Sequence, residues 1–295
     1  MIFADINEEA KQANINKMVA KALSIQGTGV HEAKALAFMA RSMVLTFMPH
    51  KKPKNNEYTM QNGDQLLNMS APKEIGLPYG SIPRLIVAFW TTQAIKTKKR
   101  DVELGDSLSI FMSELGMMPT GGKWGSITRV KEQMNRLIAT SIYSGILNEF
   151  EHNSQKLDFV QSSNILWQAS HPNQINIFAN TVRLSEGFFE QIMKNAVPLD
   201  MRVLKALKKS PLAIDLYLFL NYKLPQVKKY TPLTWGILHQ IFGSDYKELK
   251  HFKPEFNKAY DKVCLFAKEF KVRINPKKGL ILYRSPLHIP KKTSK

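Results

Sequence analysis

Cysteine is almost missing from this 295-residue chain. The single residue, Cys264, can close no internal disulfide and cannot build a cysteine-based zinc site. That fits a reducing compartment, and Cys264 reads as a small apolar core residue. Long apolar runs are missing too. Residues 212–220 are short and carry Asp215, whereas a membrane span needs roughly 20 apolar residues in a row. The first dozen residues hold Asp5, Glu8 and Glu9 and no basic run ahead of an apolar block, so no secretory leader is expected. No membrane partner and a cytoplasmic location follow as expectations. Low-complexity tracts and short repeats are also lacking. What remains is 44% hydrophobic and 22% charged, a composition that excludes whole-chain disorder and can bury sizeable cores.

Acidic residues are scarce as well. Forty-two Lys and Arg face 24 Asp and Glu, a net charge of +18, which makes a polyanion such as nucleic acid the leading partner. The excess is uneven. Residues 226–295 carry 14 Lys and 2 Arg against 5 acidic residues, or +11 of the total. A solubilising charge would be spread evenly, so this concentration favours a dedicated polyanion-binding unit.

The pattern divides the chain into an N-terminal helical segment and linker (1–64), a first block (65–197) and a second block with a basic tail (198–295). Residues 15–25 and 32–47 show helical spacing, and the polar stretch 50–64 reads as a linker or long loop. The second break is at Val197, Pro198, Leu199 and Asp200, where Asp200 can cap the following helix.

Within the first block a helix is expected over 83–97, a short strand over 102–104, and a helix capped by Asp106 or Ser107 and ended by Gly116. A turn over 117–122 leads to a longer helix from about 124 to 143. Its buried stripe is Trp124, Ile127, Met134, Leu137, Ile138 and Ile142, and Gly125, Arg129, Glu132, Gln133 and Arg136 form its outward face. Alternating segments at 156–160, 164–168 and 174–183 read as the strands of a wing and its continuation. The second block repeats the order. Helices are expected over 200–208, 211–222 and 233–242, the last opened by Pro232, then a longer one from Tyr246 or Pro254 to Phe270. Strands at 271–274 and 280–283 flank a turn of Asn275, Pro276, Lys277, Lys278 and Gly279. The fold class expected is α+β, two tandem winged-helix domains behind an N-terminal helical extension.

Helix-turn-helix order with basic outward faces suits a DNA duplex, arginines for guanine edges and lysines for phosphates. The candidate DNA-binding residues are Lys123, Arg129, Lys131, Gln133 and Arg136 in the first block. In the second they are Lys247, Lys250, Lys253, Asn257, Lys258, Lys262, Arg273, Lys277 and Lys278. Arg129, Arg136, Lys250, Asn257 and Lys258 are expected to read bases; Lys277 and Lys278 are expected to position the protein on phosphates.

No catalytic residue, metal or cofactor is expected. Residues 116–123 superficially resemble a phosphate-binding loop, but the first glycine comes one position too early and Trp124 stands where Ser or Thr is required. The seven histidines never approach the paired spacing that metal-dependent nicking needs. Trp90, Trp124, Trp167 and Trp235 all lie in apolar elements and are expected in the core.

The run Leu104, Gly105, Asp106, Ser107, Leu108, with Phe111, Met112, Leu115 and Gly116, Pro119 to Gly122, and Gly125, Ile127, Arg129, Gln133, Met134, Arg136 and Leu137, resembles the plasmid-encoded RepA replication initiators. The second block agrees through Phe188 and Phe189, Val197 to Asp200, Leu207, Ser210 to Ala213, Asp215 to Tyr217, Thr234, Trp235, Phe242 and Gly243. The resemblance spans residues 73–286. It implies a protein that binds direct repeats at a plasmid origin, helps open adjacent AT-rich DNA and recruits the host helicase and initiator proteins, with a homodimer as a further form. The alternative class is a repressor built from the same DNA-binding parts.

Overall fold

The computed structural model describes residues 2–147, 152–168, 170–175, 179–243 and 246–290. Helix α1 (Ile2–Gly27) contains the helical spacing of residues 15–25 and buries Ala22 and Ile25. The helix expected over 32–47 is not formed; β1 (Leu36–Met39) and a single turn, α2 (Ser42–Leu45), stand there. Residues 35–40 are apolar without interruption, so their pattern fits either period and a distant strand partner decides. Much of the presumed linker is also ordered. β2 (Glu57–Asn62) reverses through Gly63, at φ 57°, and Asp64 into β3 (Gln65–Ser70).

Helix α3 (Ser81–Thr97) is buried from Ile82 to Thr92, and Pro83 sits in its first turn, where a missing N–H is harmless. After β4 (Asp101–Glu103), Ser107 Oγ accepts from the Ile110 amide at 3.3 Å and opens α4 (Leu108–Glu114). Helix α5 (Ser126–Ala139) is shorter than the expected 124–143. Its end gives way to β5 (Ser141–Leu147), where Ile142 and Tyr143 suit a strand better than a helix. β5 pairs with β6 (His152–Lys156), so the hairpin after α5 comes earlier than the expected strand at 156–160. The other two expected strands reduce to β7 (Val160–Asn164) and β8 (Thr181–Leu184); residues 169 and 176–178 lie outside the described residues.

The second half follows the expected order closely. Helix α6 (Glu186–Asn195) and β9 (Val197–Asp200) precede α7 (Met201–Leu207), which Asp200 caps by accepting from the Arg202 amide at 2.8 Å. Ser210 caps α8 (Pro211–Lys223), whose residues 212–221 are all buried. Pro232 does not start a helix but lies in β10 (Tyr230–Thr234), an edge strand that tolerates its missing donor. Thr234 then caps α9 (Trp235–Phe242). Helix α10 (Leu249–Phe266) begins between the two starts considered and ends before Phe270, burying Phe252, Phe256, Ala259, Val263 and Phe266. β11 (Val272–Asn275) and β12 (Gly279–Tyr283) form the lysine-tipped hairpin as expected.

Among the described residues the strands make four antiparallel sheets, ordered β1-β9, β2-β3-β5-β6, β4-β8-β7 and β10-β12-β11. β1 pairs Leu36 with Asp200 and Met39 with Val197, tying the first 64 residues to the middle of the chain. The division at 64/65 therefore cuts the β2–β3 turn, and that at 197/198 cuts β9. The molecule is a mixed α/β fold centred on α3 and α8, one from each half. These helices are joined by a buried ion pair: Arg84 Nε and Nη2 donate to the two Asp215 carboxylate oxygens at 2.6 and 2.7 Å. His50 Nε2 lies 2.7 Å from the same carboxylate, and Arg84 also donates to the Met48 and Gly80 carbonyls. Cys264 is half-buried beside Tyr260, and burial pushes its thiol pKa up, as a packed and unreactive thiol requires.

Candidate nucleic-acid interface

In the first half, the turn before α5 is held by a compact set of hydrogen bonds. Ser126 Oγ donates to the Met118 carbonyl at 2.6 Å and accepts from the Thr120 amide at 2.9 Å, and Thr128 Oγ1 donates to the Gly122 carbonyl at 3.0 Å. Gly125 is required there, because a Cβ would lie 2.2 Å from the Thr120 carbonyl oxygen. This turn holds Lys123 and Trp124 outward. Trp124 is 83% exposed, with the Lys123 ammonium 5.4 Å from its ring centre, and so it leaves the buried stripe expected for it. A tryptophan kept in water at the entry to a basic helix is a feature the apolar pattern could not reveal. The other three tryptophans are buried.

Helix α5 divides its expected face. Arg129 is exposed and Lys131 half-buried, both facing outward. Gln133 and Arg136 are not available. Gln133 accepts from the Tyr79 amide at 2.9 Å and is buried. Arg136, only 8% exposed, donates to Glu132 at 3.1 Å and to the Leu77 carbonyl at 3.0 Å, and its guanidinium lies over the Tyr79 ring. The segment 77–79 covers that side of the helix, a tertiary contact that helical spacing cannot show. Burial, with Glu132 beside it, pushes the Tyr79 phenol pKa up, partly offset by Arg136 and Arg129. Arg136 and Gln133 thus anchor α5 rather than face a ligand.

In the second half, Lys247, Lys250, Asn257 and Lys258 are exposed on or just before α10, while Lys253 and Lys262 are half-buried. Lys250 pairs with Glu248 at 2.8 Å and Lys258 with Glu255 at 2.7 Å, and the Lys253 ammonium lies 5.2 Å from the Trp235 ring centre. Exposed pairs of this kind are worth ~0–1 kcal/mol and give way readily to a phosphate. The neighbouring turn is rigid. Asn275 Oδ1 accepts from the Lys277 and Lys278 amides at 3.0 Å each, Trp235 Nε1 donates to the Pro276 carbonyl at 2.9 Å, and Gly279 takes φ +123°. Arg273, Lys277 and Lys278 are exposed around it. α10, the turn and β11 thus place cations on adjoining surfaces of one packed unit.

Sequence reasoning missed a second set of cations. Lys52 and Lys209 are exposed, and Lys208 donates to the Gly116 carbonyl. Burial, then Lys21, Lys209 and Lys205, push the Lys208 pKa down. The Lys-Lys pairs at 51–52 and 208–209 were the available signal. Among the described residues no cluster of His, Cys, Asp and Glu could hold a metal ion, and no helix is long and apolar enough to cross a membrane.

The family model described as plasmid encoded RepA protein matches residues 77–236, from just before α3 into the start of α9. The chain belongs to the plasmid-encoded RepA family. Two solved structures share the fold of this RepA-family chain. A crystal structure of RctB domains 2–3 (RctB residues 155–483) superposes with a TM-score of 0.56 at 12% identity, over 84% of this chain and 98% of that one. A selenomethionine structure of RctB domains 2 and 3 gives 0.54 at 11%, over 80% and 94%. No curated protein matches the chain. The RepA match stops short of α10 and the β11–β12 hairpin, so their basic surfaces stand on their own geometry. Family membership supports a role in initiating plasmid replication.

Proposed function

We propose that this chain initiates plasmid replication by gripping repeated duplex sequences at the origin with two winged-helix units. The first is α3, α4 and α5 with the β5–β6 hairpin; the second is α8, α9 and α10 with the β11–β12 hairpin. The observation that carries this reading is the shared order of three helices and a hairpin in both halves of a +18 RepA-family chain. In each half cations lie exposed on the third helix, Arg129 in one and Lys250 and Lys258 in the other, with the Asn257 amide exposed beside Lys258. On this reading Arg129, with Lys123 and Lys131 beside it, and the exposed α10 residues enter successive major grooves, while Arg273, Lys277 and Lys278 neutralise phosphates. Bending or underwinding of the bound duplex strains neighbouring AT-rich steps, so opening needs no catalytic group and the protein is no enzyme. Host helicase and initiator proteins are the partners that follow, a homodimer is a second form, and the bacterial cytoplasm is the setting.

The test is genetic. A plasmid carrying the origin but lacking its own initiator gene is introduced with this gene supplied in trans. Autonomous maintenance is expected. Binding upstream of the gene with no plasmid maintenance would instead identify a repressor.

A further inference from the structure

A groove of about 780 Å³ lies between the two halves and takes in Arg129 from the outward surface of α5. It is lined by Lys52 from the segment before β2, Arg129 from α5, and Lys208 and Lys209 from the loop joining α7 to α8. One acidic side chain, Glu132, reaches it, and that carboxylate is already paired with Arg136 at 2.9 Å. Lys52, Arg129 and Lys209 have no carboxylate within ion-pair distance among the described residues. These three side chains put their positive charge on one concave surface.

Two further features give this charge a direction. The first residues of three long helices, Ser81 of α3, Ser126 of α5 and Pro211 of α8, all line the groove, so three positive helix ends converge on the same space. Met117 and Met118 add an apolar wall to the groove, beside the Gly116 carbonyl to which Lys208 donates, and Met118 is 83% exposed. Such a wall suits the sugar face of a nucleotide and makes a poor surface for an inorganic ion alone.

We propose that the inter-half groove is a phosphodiester-binding site that holds one sugar–phosphate strand against Lys52, Arg129, Lys208 and Lys209. This rests on the DNA-binding reading above and adds to Arg129 three lysines, Lys52, Lys208 and Lys209, that lie outside both helix–hairpin units. The strand comes either from the edge of a bound duplex or from a single strand.

The test compares the full chain with a Lys52→Gln/Lys209→Gln variant. Both side chains are exposed and have no ion-pair partner among the described residues, so folding is left intact, and an unchanged thermal midpoint verifies this. Binding to an origin-repeat duplex, a duplex of scrambled sequence and a single-stranded oligothymidine is titrated at several salt concentrations. The slope of log K against log[salt] should become shallower by about 2, one per lost phosphate contact, on the probe that fills the groove. A change confined to duplexes identifies the duplex edge as the source; a change confined to oligothymidine identifies the single strand. A Lys96→Gln/Lys99→Gln control, at the opposite end of α3, should keep the parental slope. Unchanged slopes on all probes, or an equal change in the control, would overturn the groove assignment alone. A parent chain that binds scrambled and repeat duplexes equally well would count against the origin reading while leaving the groove measurable; a parent that binds no probe would overturn both.

Discussion

Raising the salt from 50 to 200 mM is expected to weaken binding to an origin-repeat duplex by roughly 10³ to 10⁵. The estimate follows from counterion release, in which log K falls by about 0.9 per phosphate neutralised for each unit of log[salt], taken over about 6 to 10 contacts. The exposed cations can supply that number: Lys123, Arg129, Lys247, Lys250, Lys258, Arg273, Lys277 and Lys278 all face solvent, and the carboxylates beside Lys250 and Lys258 compete only weakly. Fluorescence anisotropy with a labelled duplex measures the slope, expected between about −5 and −9. A slope shallower than about −2 would mean that fewer than three phosphates are touched, too few for two basic units acting together.

The second large effect concerns the buried contact between the halves. Asp215→Ala should destabilise the fold by ~3–5 kcal/mol, because it leaves the Arg84 guanidinium, 2% exposed, without its counter-charge. It also removes the carboxylate oxygen 2.7 Å from His50 Nε2 and loosens the Met48, Pro49 and Gly80 carbonyls gathered around Arg84. At ~2–4 °C per kcal/mol for a chain somewhat smaller than this one, the thermal midpoint should fall by roughly 6–20 °C, read by circular dichroism. The double replacement Arg84→Met/Asp215→Leu should be milder than Asp215→Ala, since no lone charge is then buried. A single variant as stable as its parent would show that the pair does not join α3 to α8.

Local signals in the sequence had local causes, and those elements were legible. Ser107 and Asp200 mark helix starts because their side chains accept from amides three and two residues on, which needs no distant partner. The β11–β12 hairpin was legible for the same reason: Asn275 and Gly279 set its turn within a few residues. What escaped was decided at long range. β1 is a strand because β9, some 160 residues later, pairs with it. Gln133 and Arg136 lie on the polar face of α5 as expected, yet segment 77–79 covers them. Trp124 was assigned to the core on hydrophobicity alone, whereas the hydrogen-bonded turn before α5 turns it out to solvent. One miss was avoidable: Gly63-Asp64, between the alternating residues of β2 and β3, is a two-residue hairpin signal inside a stretch otherwise read as linker.

The groove was out of reach by pattern alone. Its walls come from segments around residues 52, 81, 126 and 209, and only folding brings them together.

Hydroxyl-radical footprinting of the full chain on an origin-repeat duplex tests most directly whether both basic units grip one DNA segment. The account predicts two protected patches on one face of the duplex, centred about 10 base pairs apart, with the patch owed to the second unit fading in a Lys250→Ala/Lys258→Ala variant. A single short patch, unchanged in that variant, would contradict it.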